Sequence, residues 1–275
     1  MQLILLTLLL LGILGLLGAV VLYVTSQKFR VDEDPRIEQI VALLPGANCG
    51  GCGYNGCRDF AGASVSKGSL NGLYCPVSGA DGMGRIAEIL GVEADVHERN
   101  IAVLKCNGNC KAREVLFEYD GVKSCKIMDS VAVGTRGCSF GCLGCGDCTE
   151  VCSFGAIYID NETALPVIDT EKCTACGACV AECPRNLIEL RPEGKRARRV
   201  WIACSSHDRG AIARKSCANA CIGCGKCKSA CPFEAIDVAE NLAYISPDKC
   251  KTCGKCLQVC PTTAIQANFT PIAKN

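Results

Sequence analysis

The sequence predicts an α+β chain in four parts. These are one N-terminal transmembrane helix, a small helical domain with four cysteines, and two tandem copies of a cysteine-rich module. Three observations predict this. The run Leu3–Val24, LILLTLLLLGILGLLGAVVLYV, contains no charge. The stretch CGGCGYNGC gathers Cys49, Cys52 and Cys57. An array of cysteines from Cys142 to Cys183 returns from Cys221 to Cys260.

The 275 residues hold 26 Cys and only 2 His, at a formal net charge of +1. Balanced charge points neither to nucleic acid nor to an acidic tail. Disulfide scaffolds are short secreted chains. Repeated C-x-x-C groups in a longer chain argue instead for thiolate metal ligands in a reducing compartment. A chain this poor in Phe, Tyr and Trp draws stability from ligation.

The uncharged run is long enough to cross a hydrocarbon core, which needs about 20 residues. No Lys or Arg precedes it, so it reads as an anchor rather than a cleaved signal peptide. Lys28 and Arg30 follow it, which places the remainder on the cytoplasmic side of the inner membrane. Gly12, Gly15 and Gly18 share one helical face. A partner helix and the ordinary glycine content of membrane helices both fit.

Residues 34–45 read as a short amphipathic helix capped by Asp34, with Pro35 in the first turn. Further helices are expected over 56–67 and 78–90, the latter ending at Gly91. IAVLKC (101–106) and EVLFEY (114–119) read as strands, with a turn at Asp120-Gly121. Shorter strands are expected at 156–159, 165–168 and 242–245. The expected boundaries are an anchor at 1–26, a four-Cys Fe–S domain at 27–92, and a connecting segment at 93–137. Module 1 follows at 138–190, a basic linker at 191–216, and module 2 at 217–275.

Cys142, Cys145, Cys148 and Cys152 recur 79 residues later as Cys221, Cys224, Cys227 and Cys231. Cys173, Cys176, Cys179 and Cys183 recur 77 residues later as Cys250, Cys253, Cys256 and Cys260. Each motif is C-x2-C-x2-C-x3-C, the pattern of bacterial ferredoxins for [4Fe–4S] clusters, in which the last cysteine serves the other cluster. The second half is therefore expected to be two dicluster bacterial-ferredoxin-like modules. Cys142, Cys145 and Cys148 pair with Cys183, and Cys173, Cys176 and Cys179 with Cys152. In the second module Cys221, Cys224 and Cys227 pair with Cys260, and Cys250, Cys253 and Cys256 with Cys231. Zinc sites favour two pairs or mix in His. Ser153 replaces the proline that follows the other closing cysteines; it is either a hydrogen-bond donor to the cluster or a tolerated change. Cys138, four residues before Cys142, competes with Cys145 for one ligand position.

Cys49, Cys52, Cys57 and Cys75 give C-x2-C-x4-C-x17-C, a separate four-thiolate set whose glycines let backbone N–H groups approach sulfur. Zinc is the other reading of this spacing.

One apolar helix, CGGCGYNGC with a following Cys75-Pro76, and ferredoxin modules occur here in that order. KCNGNC (105–110) and GCLGCGDC (141–148) add to the pattern. Over essentially its whole length the chain resembles the B subunit of the Rnf electron-transport complex, in a long form with two ferredoxin modules. The resemblance implies a [4Fe–4S] cluster on Cys49, Cys52, Cys57 and Cys75. It also implies an electron-transfer component of an ion-translocating ferredoxin:NAD⁺ oxidoreductase. That component takes electrons from reduced ferredoxin, while other membrane and NAD-binding subunits reduce NAD⁺ and move Na⁺ or H⁺. Members of the family often lack a Cys at the Cys145 position.

Five clusters are expected, with a sixth left open. Cys106, Cys110, Cys125, Cys138, Cys204 and Cys217 remain over. The first four could bind a sixth cluster or be buried structural thiols, and their spacing matches no known pattern. His97 and His207 read as surface residues. The run Arg191, Lys195, Arg196, Arg198 and Arg199 reads either as a solvated loop or as a docking patch for an acidic donor or anionic lipid. No nucleophile, flavin site or dinucleotide fingerprint occurs, so no catalytic residue is expected. The chain alone carries electrons. A membrane-tethered polyferredoxin for another redox complex, or a reductase of a redox regulator, are the alternative readings.

Overall fold

A computed structural model describes residues 2–28, 33–93, 98–131 and 134–270. Arg30, His97 and the side chain of Lys195 lie outside the described residues.

Helix α1 (Gln2–Lys28) is predominantly apolar and long enough to cross a membrane. Nothing lies within 4 Å of a Cβ built at Gly12, Gly15 or Gly18, so this face is open. The next three helices form a small domain: α2 (Pro35–Leu43), α3 (Cys57–Lys67) and α4 (Gly79–Leu90). Asp34 caps α2 by accepting the Arg36 N–H at 2.9 Å. Left-handed Gly68 and Gly91 end α3 and α4, the positions where a side chain would be strained. Ile40, Leu44, Phe60, Met83 and Ile86 meet in the centre, and Cys75 is buried among them. The three expected helices are therefore all present.

Each module has two antiparallel pairs. In the first, β1 (Asn100–Leu104) pairs with β4 (Ile188–Pro192), and β2 (Ile157–Asp160) with β3 (Leu165–Ile168). In the second, β5 (Val200–Ile202) pairs with β8 (Ile265–Ala267), and β6 (Ile236–Ala239) with β7 (Leu242–Ile245). The segment expected to connect thus supplies β1 to module 1, and the expected basic linker supplies β5 to module 2. Short helices α5 (Cys125–Val131), α6 (Asp147–Glu150), α7 (Ala178–Glu182), α8 (Gly210–Ser216), α9 (Lys226–Ala230) and α10 (Lys255–Val259) complete the order.

The strand expected over 114–119 does not form. Val115 makes one isolated bridge to Arg136, and Val115, Leu116 and Phe117 are exposed. The pairing stops after the bonds Leu116 N–H to Thr135 O and Gly137 N–H to Glu114 O, too few for a strand.

The basic run is divided: Arg196 is exposed and Arg198 half-buried over the Phe269 ring, while Arg191 and Arg199 are buried. Arg191 is 3% exposed and Arg199 4%. Arg191 sits in β4 and donates from Nη1 to Val200 O at 3.1 Å and from Nη2 to Ile245 O at 2.9 Å. It ties module 1 to module 2, stacked on the Tyr244 ring at 5.1 Å. Trp201 makes a second tie, donating to Leu104 O at 2.9 Å.

Candidate metal centres

The C-x2-C loops share a backbone form. The residue before the second cysteine is left-handed in all four: Gly144, Ala175, Gly223 and Thr252. Another left-handed glycine follows that cysteine each time, at Gly146, Gly177, Gly225 and Gly254, and opens the short helix carrying the third. Such alternation turns successive N–H groups inward, a concavity suited to anions. The N–H of Thr252 bonds Cys250 Sγ at 3.4 Å, and the backbone of Gly144 favours the charged sulfur of Cys142. The closing cysteines accept from four residues on. Ala156 N–H reaches Cys152 Sγ at 3.3 Å and Leu187 N–H reaches Cys183 Sγ at 3.4 Å. Ser153 stands exposed, in keeping with a tolerated change, and the backbone bond at Cys152 matches the one at Cys183, which Pro184 follows.

The motifs cross. One apolar cavity of about 380 Å³ is lined by Cys152, Cys173, Cys176 and Cys179. Another of about 360 Å³ is lined by Cys221, Cys224, Cys227 and Cys260. Cys231 lies near Cys250, Cys253 and Cys256 as the fourth group. In each case the x3-cysteine comes from the partner motif.

The remaining cavity, about 430 Å³, is lined by Cys142, Cys148, Cys183 and Cys125. Cys145 and Cys138 do not line it. Cys145 is turned towards Cys125 and Met128, its sulfur 4.0 Å from Met128 Sδ. Cys138 lies buried beside Cys217 and Cys106 instead. Cys125 was not expected here. It opens α5, which buried Asp147 caps from the GCGDC loop. The Cys125 N–H donates to Asp147 Oδ1 at 2.8 Å, and the Ser124 hydroxyl to Oδ2 at 2.9 Å. Burial pulls the Asp147 carboxyl up, but these bonds outweigh it and hold the group below the usual range. The one sequence signal was the acid between Gly146 and Cys148, and nothing local links it to a helix 22 residues upstream.

Cys49, Cys52, Cys57 and Cys75 come together at one end of the helical domain, with Cys52, Cys57 and Cys75 packed in its core. Asn48 Oδ1 accepts the Cys57 N–H at 2.9 Å and so starts α3 at the third cysteine. The backbone N–H of Tyr54 favours the charged sulfur of Cys52, two residues before it as in the ferredoxin loops.

Burial dominates the thiol chemistry. It pushes Cys142, Cys145, Cys148 and Cys256 up to about 12, and Cys179 and Cys227 up to about 11. Neutral thiols are stable in these cages. Thiolates need the positive charge of metal. The donor set is all sulfur. Among the described residues no three His, Cys, Asp or Glu side chains converge closely enough to share one ion. Thiols spread around a cavity suit a cluster with several irons.

Residues 141–187 and 220–264 match the family described as "4Fe-4S dicluster domain", and residues 172–235 match a second family of the same description. Residues 44–72 match "Putative Fe-S cluster". Among curated proteins, the chain is 42% identical over 241 residues to the B subunit of the Na(+)-translocating ferredoxin:NAD(+) oxidoreductase complex of Acetobacterium woodii. That match spans 88% of this chain and 71% of the relative. The chain belongs to the family of Rnf complex B subunits. The B subunit of the ion-translocating oxidoreductase complex of Methanosarcina acetivorans is 37% identical, over 84% of this chain and 86% of its own length. The proton-translocating counterpart from Clostridium ljungdahlii is 35% identical, over 85% and 80%. In this Rnf chain the dicluster matches cover the four crossed motifs, and 4Fe–4S clusters are its cofactors.

The three relatives differ in the ion their names carry, sodium in one and protons in another.

Proposed function

We propose that this chain is the electron-relay component of a membrane-bound, ion-translocating ferredoxin:NAD⁺ oxidoreductase. It takes electrons from reduced ferredoxin at module 2 and delivers them near the membrane through the Cys49–Cys75 site. Five [4Fe–4S] clusters sit on the crossed sets and on Cys49, Cys52, Cys57 and Cys75, with Cys125 beside Cys142, Cys148 and Cys183 in one of them. When bound, each cluster supplies one-electron storage. The residues supply position, backbone N–H bonds to sulfur, and exclusion of water.

One observation carries the reading: neighbouring cages adjoin within each module and where the helical domain meets module 1. Gly51 lies against Cys176. Cys148 stands near Cys179 within module 1, and Cys227 near Cys256 within module 2. At the far end Cys224 and Cys253 are exposed, with Lys226, Lys251 and Lys255 exposed around them. A solvent-facing cage among lysines suits a donor of opposite charge. Helix α1 anchors the other end, with the clusters on the cytoplasmic side.

The test is ferredoxin-dependent NAD⁺ reduction by washed, anaerobic membranes with and without this chain. Activity lost without it and restored by adding it back supports the relay. Unchanged activity refutes it.

A further inference from the structure

We propose that Cys106, Cys138, Cys204 and Cys217 form a further cage that holds a [4Fe–4S] cluster at the joint between the two modules. None of the four serves the five sites above.

The backbone brings them together from four segments. Asn107 N–H donates to Ala203 O at 2.9 Å, and the Ser205 hydroxyl to Lys105 O at 3.1 Å, which sets Cys106 alongside Cys204. Asn219 Nδ2 donates to Asn107 O at 2.8 Å, and Ala218 N–H to Ala112 O at 2.9 Å, which carries Cys217 to the same place. Gly137 presses on the next turn, a Cβ there standing 3.4 Å from Ser216 O, so Cys138 adjoins Cys217. Cys138 and Cys217 share one buried cluster, and Cys204 packs on it.

Two features point to a ligand rather than to inert thiols. The first is the backbone bonding. Cys204 Sγ accepts the N–H of Ser206 at 3.5 Å, and the backbone N–H groups of Phe140 and Asn219 favour the charged sulfurs of Cys138 and Cys217. This is the two-residue reach found at Cys52, Cys142 and Cys250 in the other cages. The second is Arg113, which is 4% exposed. Its Nε donates to Gly108 O at 2.6 Å, and no carboxylate pairs with it among the described residues. Its guanidinium lies over Gly141 beside Cys138 Sγ, and its charge bears on Cys217 as well. A buried cation needs an anion. Four thiolates around a cluster carry net negative charge; four neutral thiols carry none.

Cys110 is excluded by its own contact, for its thiol donates to Glu162 O at 2.9 Å. The cage's position gives it a use. Cys106 Sγ accepts the Cys142 N–H at 3.4 Å, and Cys204 lies beside Cys221. It therefore touches the nearest cage of each module. One electron given up by one module would pass here to the other, with no bond made or broken.

The experiment is iron and acid-labile sulfide per chain, measured on the full detergent-solubilised chain purified without oxygen. The expected wild-type count is about 24 irons, six clusters of four. Cys138→Ala and Cys217→Ala each lose about four, and Cys110→Ala loses none. A wild-type count of about 20 overturns the proposal and leaves the five-cluster relay untouched. So does a full count that survives both substitutions. Where a substitution removes more than one cluster, the wild-type count alone decides.

Discussion

Gly51 rests directly on the backbone of Cys176. A Cβ at Gly51 would stand 2.6 Å from the Cys176 carbonyl oxygen and 2.9 Å from its Cα. No residue but glycine permits this approach, and it joins the membrane-proximal site to the first module. Gly51→Ala forces the two loops apart at a cost of about 1–3 kcal/mol. The expected outcome is unchanged iron content with slower reduction of the Cys49–Cys75 site by module 1, followed by rapid-freeze EPR.

Cys125 and Cys145 compete for one position, and their geometry separates them. Cys125 lines the cavity with Cys142, Cys148 and Cys183, while Cys145 stands outside the lining, against Cys125 and Met128. Cys125→Ala should remove about four irons or leave a three-iron signal, whereas Cys145→Ala should keep its full complement. Iron analysis and EPR of the two variants check this. Asp147→Asn weakens the cap on α5 and should resemble a mild form of Cys125→Ala, since an uncapped helix start loses about 1 kcal/mol.

Arg191 holds the modules together. Its two bonds, to Val200 O and Ile245 O, are made by a charged group in a buried setting. Arg191→Ala should destabilise the joint by about 2–4 kcal/mol. Thermal unfolding should then split, with module 2 melting before module 1.

The metal-free chain should respond to pH in a stated direction. Burial holds Cys142, Cys148 and Cys256 at about 12 against an ordinary value of 9.0. A folded thiol therefore keeps its proton more tightly than an unfolded one. The stability this adds is present below the ordinary value and is lost as pH rises from about 9 to about 12. Binding metal needs the thiolates, so cluster insertion releases protons and should be more complete at about pH 8.5 than at about pH 6. Iron uptake against pH, with proton release followed in weak buffer, checks both statements.

Much of this could be read from the chain. The x3-cysteines announced the crossing, because a closing cysteine that serves the partner motif forces Cys152 and Cys183 to exchange places. The helices at Pro35 and Gly79 were marked by Asp34 and Gly91. What stayed hidden depends on contacts far apart in sequence. Asp147 caps a helix that begins at Cys125. The strand Val200–Ile202 follows a run of arginines and looks like part of a loop. Arg191 is buried because β4 places it against module 2, a fact no charge pattern carries. Cys106, Cys138, Cys204 and Cys217 have no common spacing, since four separate segments deliver them.

The relay itself is tested most directly with Cys52→Ala in the assembled membrane complex. Reduced ferredoxin is mixed with the complex, the module clusters are followed by rapid-freeze EPR, and NADH is measured on the same sample. Module clusters that reduce normally while NADH formation stops place the Cys49–Cys75 site at the delivering end. NADH formed at the wild-type rate would contradict the relay.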